Sequence, residues 1–525
     1  MQKFSVKEIL AFICLIIFTV ILAGYSFVAD NIKRSLVDVP GLIDNIDVLE
    51  DRMGGYSDYY VVVDKDTNFI LHSIAGANIE NTIVVLIPKG VSKANVILDF
   101  YTGWDEKLGS YKCDFERYPE YVVNNKIIQC QQSDLPFVFI DVGKEDFNRV
   151  NASFSEQNPV KEKAAIEFTV CDMGSGWHIK GIQGQIKPRG AVSWTLFNKR
   201  PYSVKFVEKI DLFGMGKYKK WNLIANGSDK TLLKNEIFYG MADNLGLQYT
   251  PKTEQVNLFI NDDYKGVYTI TTKVDAFTKS ELGINDFLIN WGSPNCSNKI
   301  EYDCLYETIY DEETGKPFFD IVWPENVGGY KSEIIKEKVQ EFVDVLEGRK
   351  DGDLVDYIDF DSLVRYYWVQ EISMNVDAFY RSFYMYYKAD DGKFYTGPIW
   401  DMDCTLGVTG IDREGLDFTV PYGWKIREYG CYKTLFENDL FCEKVKEFYY
   451  SENIESLMEA TYAEYVNRVE ELECVGELNY ELTKEDNNFY DLNCVDVNSY
   501  REYSDRKLKF FRDRIDWIEN EMGAR

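Results

Sequence analysis

Histidine is almost missing from this chain of 525 residues: only His72 and His178 occur, far apart. A zinc centre built on histidine and a Ser-His triad therefore have little to draw on, and acid–base work falls to carboxylates, lysine or tyrosine. None of the 11 cysteines forms a C-x-x-C pair, which argues against zinc ribbons and thioredoxin-type redox chemistry. No long basic run offsets a formal net charge of −29, so a nucleic-acid backbone is not an expected partner. Repeats and low-complexity tracts are absent too. What is present is a large stock of core-forming side chains, 45% hydrophobic and 15% aromatic, with 37 Tyr and 33 Phe. Such a chain buries a sizeable core and is ordered over most of its length.

Residues 9–29, ILAFICLIIFTVILAGYSFVA, carry no charge and are long enough to cross a bilayer as a helix. Lys3 and Lys7 precede the run, which favours a cytoplasmic N-terminus, although Lys33 and Arg34 follow it. A cleaved signal peptide is the competitor, but Phe27 is unsuited to the position two before a cut after Ala29. The expectation is an uncleaved anchor over residues 1–29, a polar stalk over 30–58, and the bulk of the chain outside the cytoplasm at the cell surface, or secreted if the anchor is removed. Cys14 lies in the run, leaving Cys113, Cys130, Cys171, Cys296, Cys304, Cys404, Cys431, Cys442, Cys474 and Cys494. An even number outside the membrane fits an oxidising compartment, with Cys113/Cys130, Cys296/Cys304, Cys431/Cys442 and Cys474/Cys494 as candidate disulfides.

Residues 59–160 read as a β-rich, sandwich-like module of short runs such as NTIVVLIPKG and ANVILDFYTG. A second, α+β domain is expected over 161–525. In RPYSVKF, Tyr202, Val204 and Phe206 share one face of a strand and Lys205 points to the other. SDKTLLKNEIFYGMADNLG reads as a helix over 229–245, N-capped by Ser228 or Asp229, buried along Leu233, Ile237, Met241 and Leu245, and stopped at Gly246. EQVNLFINDDYKGVYTITTKV reads as a hairpin. A helix with Val364, Trp368 and Ile372 on one stripe leads through NVDAFYR and an aromatic hairpin to GPIWDMDCTLG, where Asp401 and Asp403 stand one residue apart. The C-terminal 432–525 is helical in pattern, with Leu508, Phe511, Ile515 and Ile518 on one face.

This order matches what phosphoryl transfer needs: a cation near the phosphates, an acid that orients the incoming hydroxyl, and acids for a metal. Lys205 on a strand, Asp377 after a long helix and Asp401/Asp403 after a hairpin fall in that sequence. Mg²⁺ takes one or two carboxylates plus phosphate oxygens and water, so a short Asp-x-Asp is a reasonable ligand source. A surface turn is the bland alternative for the same residues.

Several ordered segments resemble the CotH kinase family, named for a spore-coat protein. IKPRGAVSWTLFNKRPYSVKF is similar to its RG-x-x-S-W segment with a basic pair and a strand ending in K-F. KWNLIANGSDKTLLKNEIFYGMADNLG resembles its W-x-L segment and helix with a basic-Asn pair, here Lys234-Asn235. VNLFINDDYKGVYTI, NVDAFYRSFYMYY, PIWDMDCTLG and DRKLKFFRDRIDWI resemble its hairpin, N-x-D loop, W-D-x-D segment and C-terminal helix. The resemblance runs from about residue 160 to 520. It implies an atypical bilobal protein-kinase-like fold that binds ATP without a Gly-rich loop and phosphorylates Ser or Thr of a protein substrate. On that analogy Lys205 contacts the α/β-phosphates, with Arg189 and Ser193 as further phosphate contacts. Asp377 is then the catalytic Asp that orients the nucleophile, and Asp401 or Asp403 holds Mg²⁺ or Mn²⁺. Glu236 invites comparison with the glutamate that pairs the kinase lysine, a position the family motif does not mark. One departure stands out: Ser382 occupies the place where the family commonly has a second metal-binding Asn. That departure supports a competing reading, a surface or spore-coat protein that uses the fold as a binding scaffold.

Overall fold

The structure, a computed structural model, describes residues 82–523 apart from 102–106, 124–125, 154–160, 173–176, 191, 262, 292–298, 305–313, 379–381, 409–414 and 487–490. Toward the N-terminus it describes 15–24, 26, 43–44, 59–63, 69–72 and 74–79. The expected membrane segment therefore lies largely outside the described residues. Its residues 15–24 are helical and exposed, and among the described residues no helix is long and apolar enough to cross a membrane. The stalk likewise lies outside them, save a two-residue strand Ile43–Asp44.

The architecture is α+β with a β-rich N-terminal part. There the strands form a five-stranded sheet, in the order Ile43–Asp44, Lys107–Cys113, Val96–Tyr101, Tyr59–Val63, Phe69–His72, and a four-stranded one, Ile74–Ile79, Thr82–Pro88, Lys126–Ser133, Glu120–Val123. Phe137–Val142, grouped with this part by sequence, instead pairs antiparallel with Ala164–Asp172 and parallel with Thr253–Ile260. These strands belong to a closed seven-stranded barrel that continues through Trp177–Pro188, Tyr202–Asp211, Lys217–Ile224 and Asp263–Thr272. The chain divides into two compact units, Met1–Asn148 with Ala164–Gln183 and Val256–Gly266, and Arg149–Lys163 with Gly184–Gln255 and Val267–Arg525. Every candidate site residue lies in the second.

Within that second unit, alternation decides the strand faces. Tyr202, Val204 and Phe206 are buried while Lys205 is exposed, as their spacing predicts. The helix expected over 229–245 begins later, at Lys234, and ends at Asn244. Asp229 is the reason: its carboxylate accepts from Thr231 N at 3.0 Å and Lys234 N at 2.9 Å. It satisfies the first helical N–H from five residues away, across a turn, so no side chain caps the helix at Leu233. Gly246 ends the helix with φ +74°, as its position predicts.

Phe360–Ser373 is capped by Asp359, which accepts from Ser362 N at 2.8 Å, and closes on Met374 in the left-handed region at φ 51°. Its Glu371 is fully buried against Arg514 of the final helix, Nη2 to Oε1 at 2.5 Å. The same carboxylate accepts N–H groups from Lys425, Ile426 and Arg427 at 2.8, 2.9 and 3.2 Å. The C-terminal part is helical as expected, ending in Tyr500–Gly523 with Leu508, Phe511, Ile515 and Ile518 buried.

The expected disulfides are corrected. The nine described cysteines, from Cys113 to Cys494, are all free thiols, and Cys296 lies outside the described residues. Burial, not bridging, accounts for most of them: Cys113, Cys130, Cys171, Cys431 and Cys494 are buried as small apolar side chains. Closeness in sequence does not set the Cβ separation a disulfide needs.

Candidate active site

Two backbone contacts bring the acids together. Val376 N donates to Cys404 O at 3.2 Å and Leu406 N to Ser373 O at 2.9 Å. The loop after helix 360–373 is thus stitched alongside the Asp-x-Asp segment. Asn375 shapes the loop by accepting Asp377 N at 3.1 Å with its side-chain oxygen, the local turn that Asn favours. Asp377 is half-buried there.

Asp401 takes the left-handed conformation, φ 55°, and opens the short 3-10 turn Met402–Cys404. Its backbone is held by the 234–244 helix: Asp401 N donates to Tyr239 Oη at 3.2 Å, and Met402 N to Asn235 Oδ1 at 2.9 Å. Lys234, wholly buried, donates to Asp403 O at 3.3 Å. Lys507 of the last helix holds the far end, donating to Leu406 O at 3.0 Å while paired with buried Asp491 at 2.7 Å.

The side chains are equally directed. Ser382 Oγ donates to Asp401 Oδ2 at 2.7 Å and Ser228 Oγ to Asp403 Oδ2 at 2.5 Å. Burial and the neighbouring Asp403 raise the Asp401 carboxyl to about 6, against the pull of Arg189 and the Ser382 hydrogen bond, with Asp377 adding to the rise. The Cys404 thiol is pushed far up by burial and then by Asp403 and Asp377. Three carboxylates thus share one field, with the Arg189 guanidinium acting on Asp401 and the Lys234 ammonium on Cys404 beside them. Arg189 lies 5.7 Å over the Trp400 ring, which stacks on Tyr239 at 6.1 Å.

The donor set fits a hard divalent cation. One oxygen each of Asp401 and Asp403 is engaged by a hydroxyl, so the other could serve as a ligand. Among the described residues no three His, Cys, Asp or Glu side chains form a ready metal cage.

Of the residues expected from sequence, the structure gathers Arg189, Asp377, Asp401 and Asp403. Ser193 sits half-buried in the short helix Val192–Leu196, and Gly190, at φ +70°, lies close against it: a Cβ there would meet Ser193 Oγ at 2.4 Å. Lys205 is exposed on its strand, opposite Gln185 and Lys220, grouped with other lysines. Glu236 pairs with Arg468, Nε to Oε1 at 2.7 Å, and not with Lys205. Sequence reasoning singled out neither Lys234, Asn235, Ser228 nor Tyr239 as positioning residues. The Lys234-Asn235 pair was the available signal. A separate cavity of about 550 Å³, lined by Tyr367, Trp368, Trp424, Arg427, Phe436 and Met522 among others, contains none of these acids.

No curated protein matches the chain. The family profile described as CotH kinase protein matches residues 186–518, a span that takes in Lys187 at one end, all three acids, and the helix bearing Lys507 and Arg514. With well over half of its length covered in this way, the chain belongs to the CotH kinase family.

Proposed function

We propose that the protein transfers the γ-phosphoryl group of ATP to a serine or threonine hydroxyl of a protein substrate. The observation that carries this reading is the set Asp377, Asp401 and Asp403, held together by backbone stitching and sharing one field with Arg189. Phosphoryl transfer asks for positioning and charge more than for covalent help, and such a set supplies both. In this reading Asp377 orients the acceptor hydroxyl and takes its proton. Asp401 and Asp403 hold Mg²⁺ or Mn²⁺, which when bound offsets charge on the phosphoryl oxygens. Arg189, Ser193 and Lys205 contact the phosphates, within a kinase-like bilobal fold. Membrane attachment through residues 9–29, and action outside the cytoplasm on a surface or coat protein, complete the proposal and rest on the apolar run alone.

A binding-scaffold reading is favoured by one observation. Ser382, standing where an Asn ligand is expected, is turned into Asp401 by its hydrogen bond, and serine is a poor substitute for a metal-binding amide. The two readings separate in one assay. The purified full chain is incubated with γ-labelled ATP and Mg²⁺ or Mn²⁺, alone and with a generic acceptor protein, beside Asp377→Ala and Asp401→Ala/Asp403→Ala. Label in the wild type that both variants lose establishes transfer. No label, with no metal-dependent thermal shift from ATP, leaves the scaffold.

A further inference from the structure

The cavity of about 550 Å³ that stands apart from the acids is walled by aromatic side chains of the second unit. Helix Phe360–Ser373 supplies Tyr367 and Trp368, the segment before helix Gly430–Leu435 supplies Trp424, and Phe436 follows that helix. Trp368 meets Trp424 edge to face at 6.3 Å, and Tyr367 meets Phe436 in the same way at 5.1 Å, the packing that aromatic quadrupoles favour. These walls are fixed. The Glu371 carboxylate accepts the N–H groups of Lys425, Ile426 and Arg427, so the stretch bearing Trp424 and Arg427 is bound to helix 360–373. A preformed, mainly apolar space of this size suits a small organic molecule.

Two unmet donors set its chemistry. Trp368 Nε1 donates to Val445 O at 3.2 Å, whereas Trp424 Nε1 is buried without an acceptor among the described residues. Arg427 holds its guanidinium 5.0 Å over the Trp424 ring and 5.6 Å over the Phe436 ring. Its Nε donates to Glu428 at 2.9 Å, and among the described residues neither Nη has an acceptor. The other charged residues of the lining, Glu428, Lys433, Glu437, Glu443 and Lys446, are all exposed and keep their charges in water. Arg427 alone is largely covered, its side chain 29% exposed. Donors without acceptors among apolar walls call for a ligand that is apolar except for an acceptor group.

We propose that this cavity binds a monocarboxylic acid with an apolar body. The carboxylate lies on the Arg427 Nη groups, with the Trp424 N–H as a further donor, and the body lies against Tyr367, Trp368 and Phe436. A stacked guanidinium fork matches a planar carboxylate. A dianion such as a phosphate monoester is disfavoured, because Glu428, Glu437 and Glu443 stand around the same space. The site is independent of the phosphoryl-transfer reading, since Asp377, Asp401 and Asp403 have no part in its lining.

The test is equilibrium binding to the full chain, by titration calorimetry, of naphthalene-2-carboxylate and decanoate, each beside its neutral primary amide. In the wild type the two acids should compete for a single site, and each amide should bind roughly tenfold more weakly, the loss of one charge-assisted contact. That comparison needs no variant. Arg427→Met should weaken the acids by roughly tenfold and leave the amides unmoved. Trp424→Phe, which keeps a ring and removes the N–H, should weaken the acids by roughly threefold. Met522→Trp fills the space and should abolish binding, while Lys446→Met, the same change of charge at an exposed position, should stay near wild type. Binding of one acid alone keeps the site and assigns its occupant's body as aromatic or acyl. Equal affinity for acid and amide, unchanged acid affinity in R427M or M522W, tighter binding of 2-naphthyl phosphate than of the carboxylate, or no saturable binding at all overturns the proposal.

Discussion

Replacing Asp401 by Asn should stabilise the metal-free protein, the opposite of what removing a buried, hydrogen-bonded group usually does. The carboxyl is raised from 3.8 to about 6, first by burial and second by the charge of Asp403. A folded-state value above the unfolded one means that the folded chain holds the proton more tightly. Stability therefore falls as pH rises from about 4 to about 6, and the full cost is present above that window. A shift of about two units at 1.36 kcal/mol each sets that cost at about 3 kcal/mol. It is a ceiling, because Asp401 keeps some open surface. Asn carries no charge, yet still offers an oxygen to the Ser382 hydroxyl that donates at 2.7 Å. Its amide must find acceptors, which returns part of the gain. A rise in Tm of about 2–4 °C in EDTA at about pH 8 is expected for a domain of this size. The rise should shrink through the window from about pH 6 to about pH 4 and vanish below about pH 3.5, where the carboxyl is protonated in the folded and the unfolded chain alike. Scanning calorimetry at both pH values reads this directly. Mn²⁺ with ATP should stabilise the wild type and leave D401N unmoved. A variant less stable than wild type at about pH 8 in EDTA, by as much as at low pH, would refute the electrostatic account of this carboxylate.

Other predictions follow from particular contacts. Asn235→Ala strands the buried Met402 N–H that Asn235 accepts at 2.9 Å; it should cost about 1–3 kcal/mol in urea unfolding and abolish the Mn²⁺-ATP thermal shift. Glu371→Gln leaves Arg514 wholly buried without its counter-charge, a loss of about 3–5 kcal/mol, and Glu371→Gln with Arg514→Met should recover part of it. Since Cys474 is exposed while five other described cysteines are buried, native iodoacetamide should modify Cys474 first. Denaturation without reductant should then open all nine described thiols to labelling, whereas unreactive pairs would restore the disulfide expectation.

Much of the scaffold was legible because it is written in local periodicity. The alternation through Tyr202, Val204 and Phe206 and the stripe through Leu233, Ile237, Met241 and Leu245 both come out buried. Where the reading slipped, a long-range partner had decided the matter. Ser228, expected at a helix start, is spent on Asp403. Glu236 is taken by Arg468, 232 residues further along the chain. Spacing between cysteines carried no information about bridging, because a disulfide depends on Cβ geometry that the intervening backbone sets.

By itself the sequence determined the chemistry on offer: scarce histidine, a lysine on an alternating strand, and carboxylates at Asp377, Asp401 and Asp403 in a fixed order. Residue types and short periods are properties of the chain alone. Which carboxylates share a field, and which residues stand opposite Lys205 in the sheet, was decided only by tertiary structure. The Val376–Cys404 and Leu406–Ser373 contacts and the strand register around Lys205 set those distances. Electrostatic coupling depends on separation and burial, and neither is a property of position along the chain.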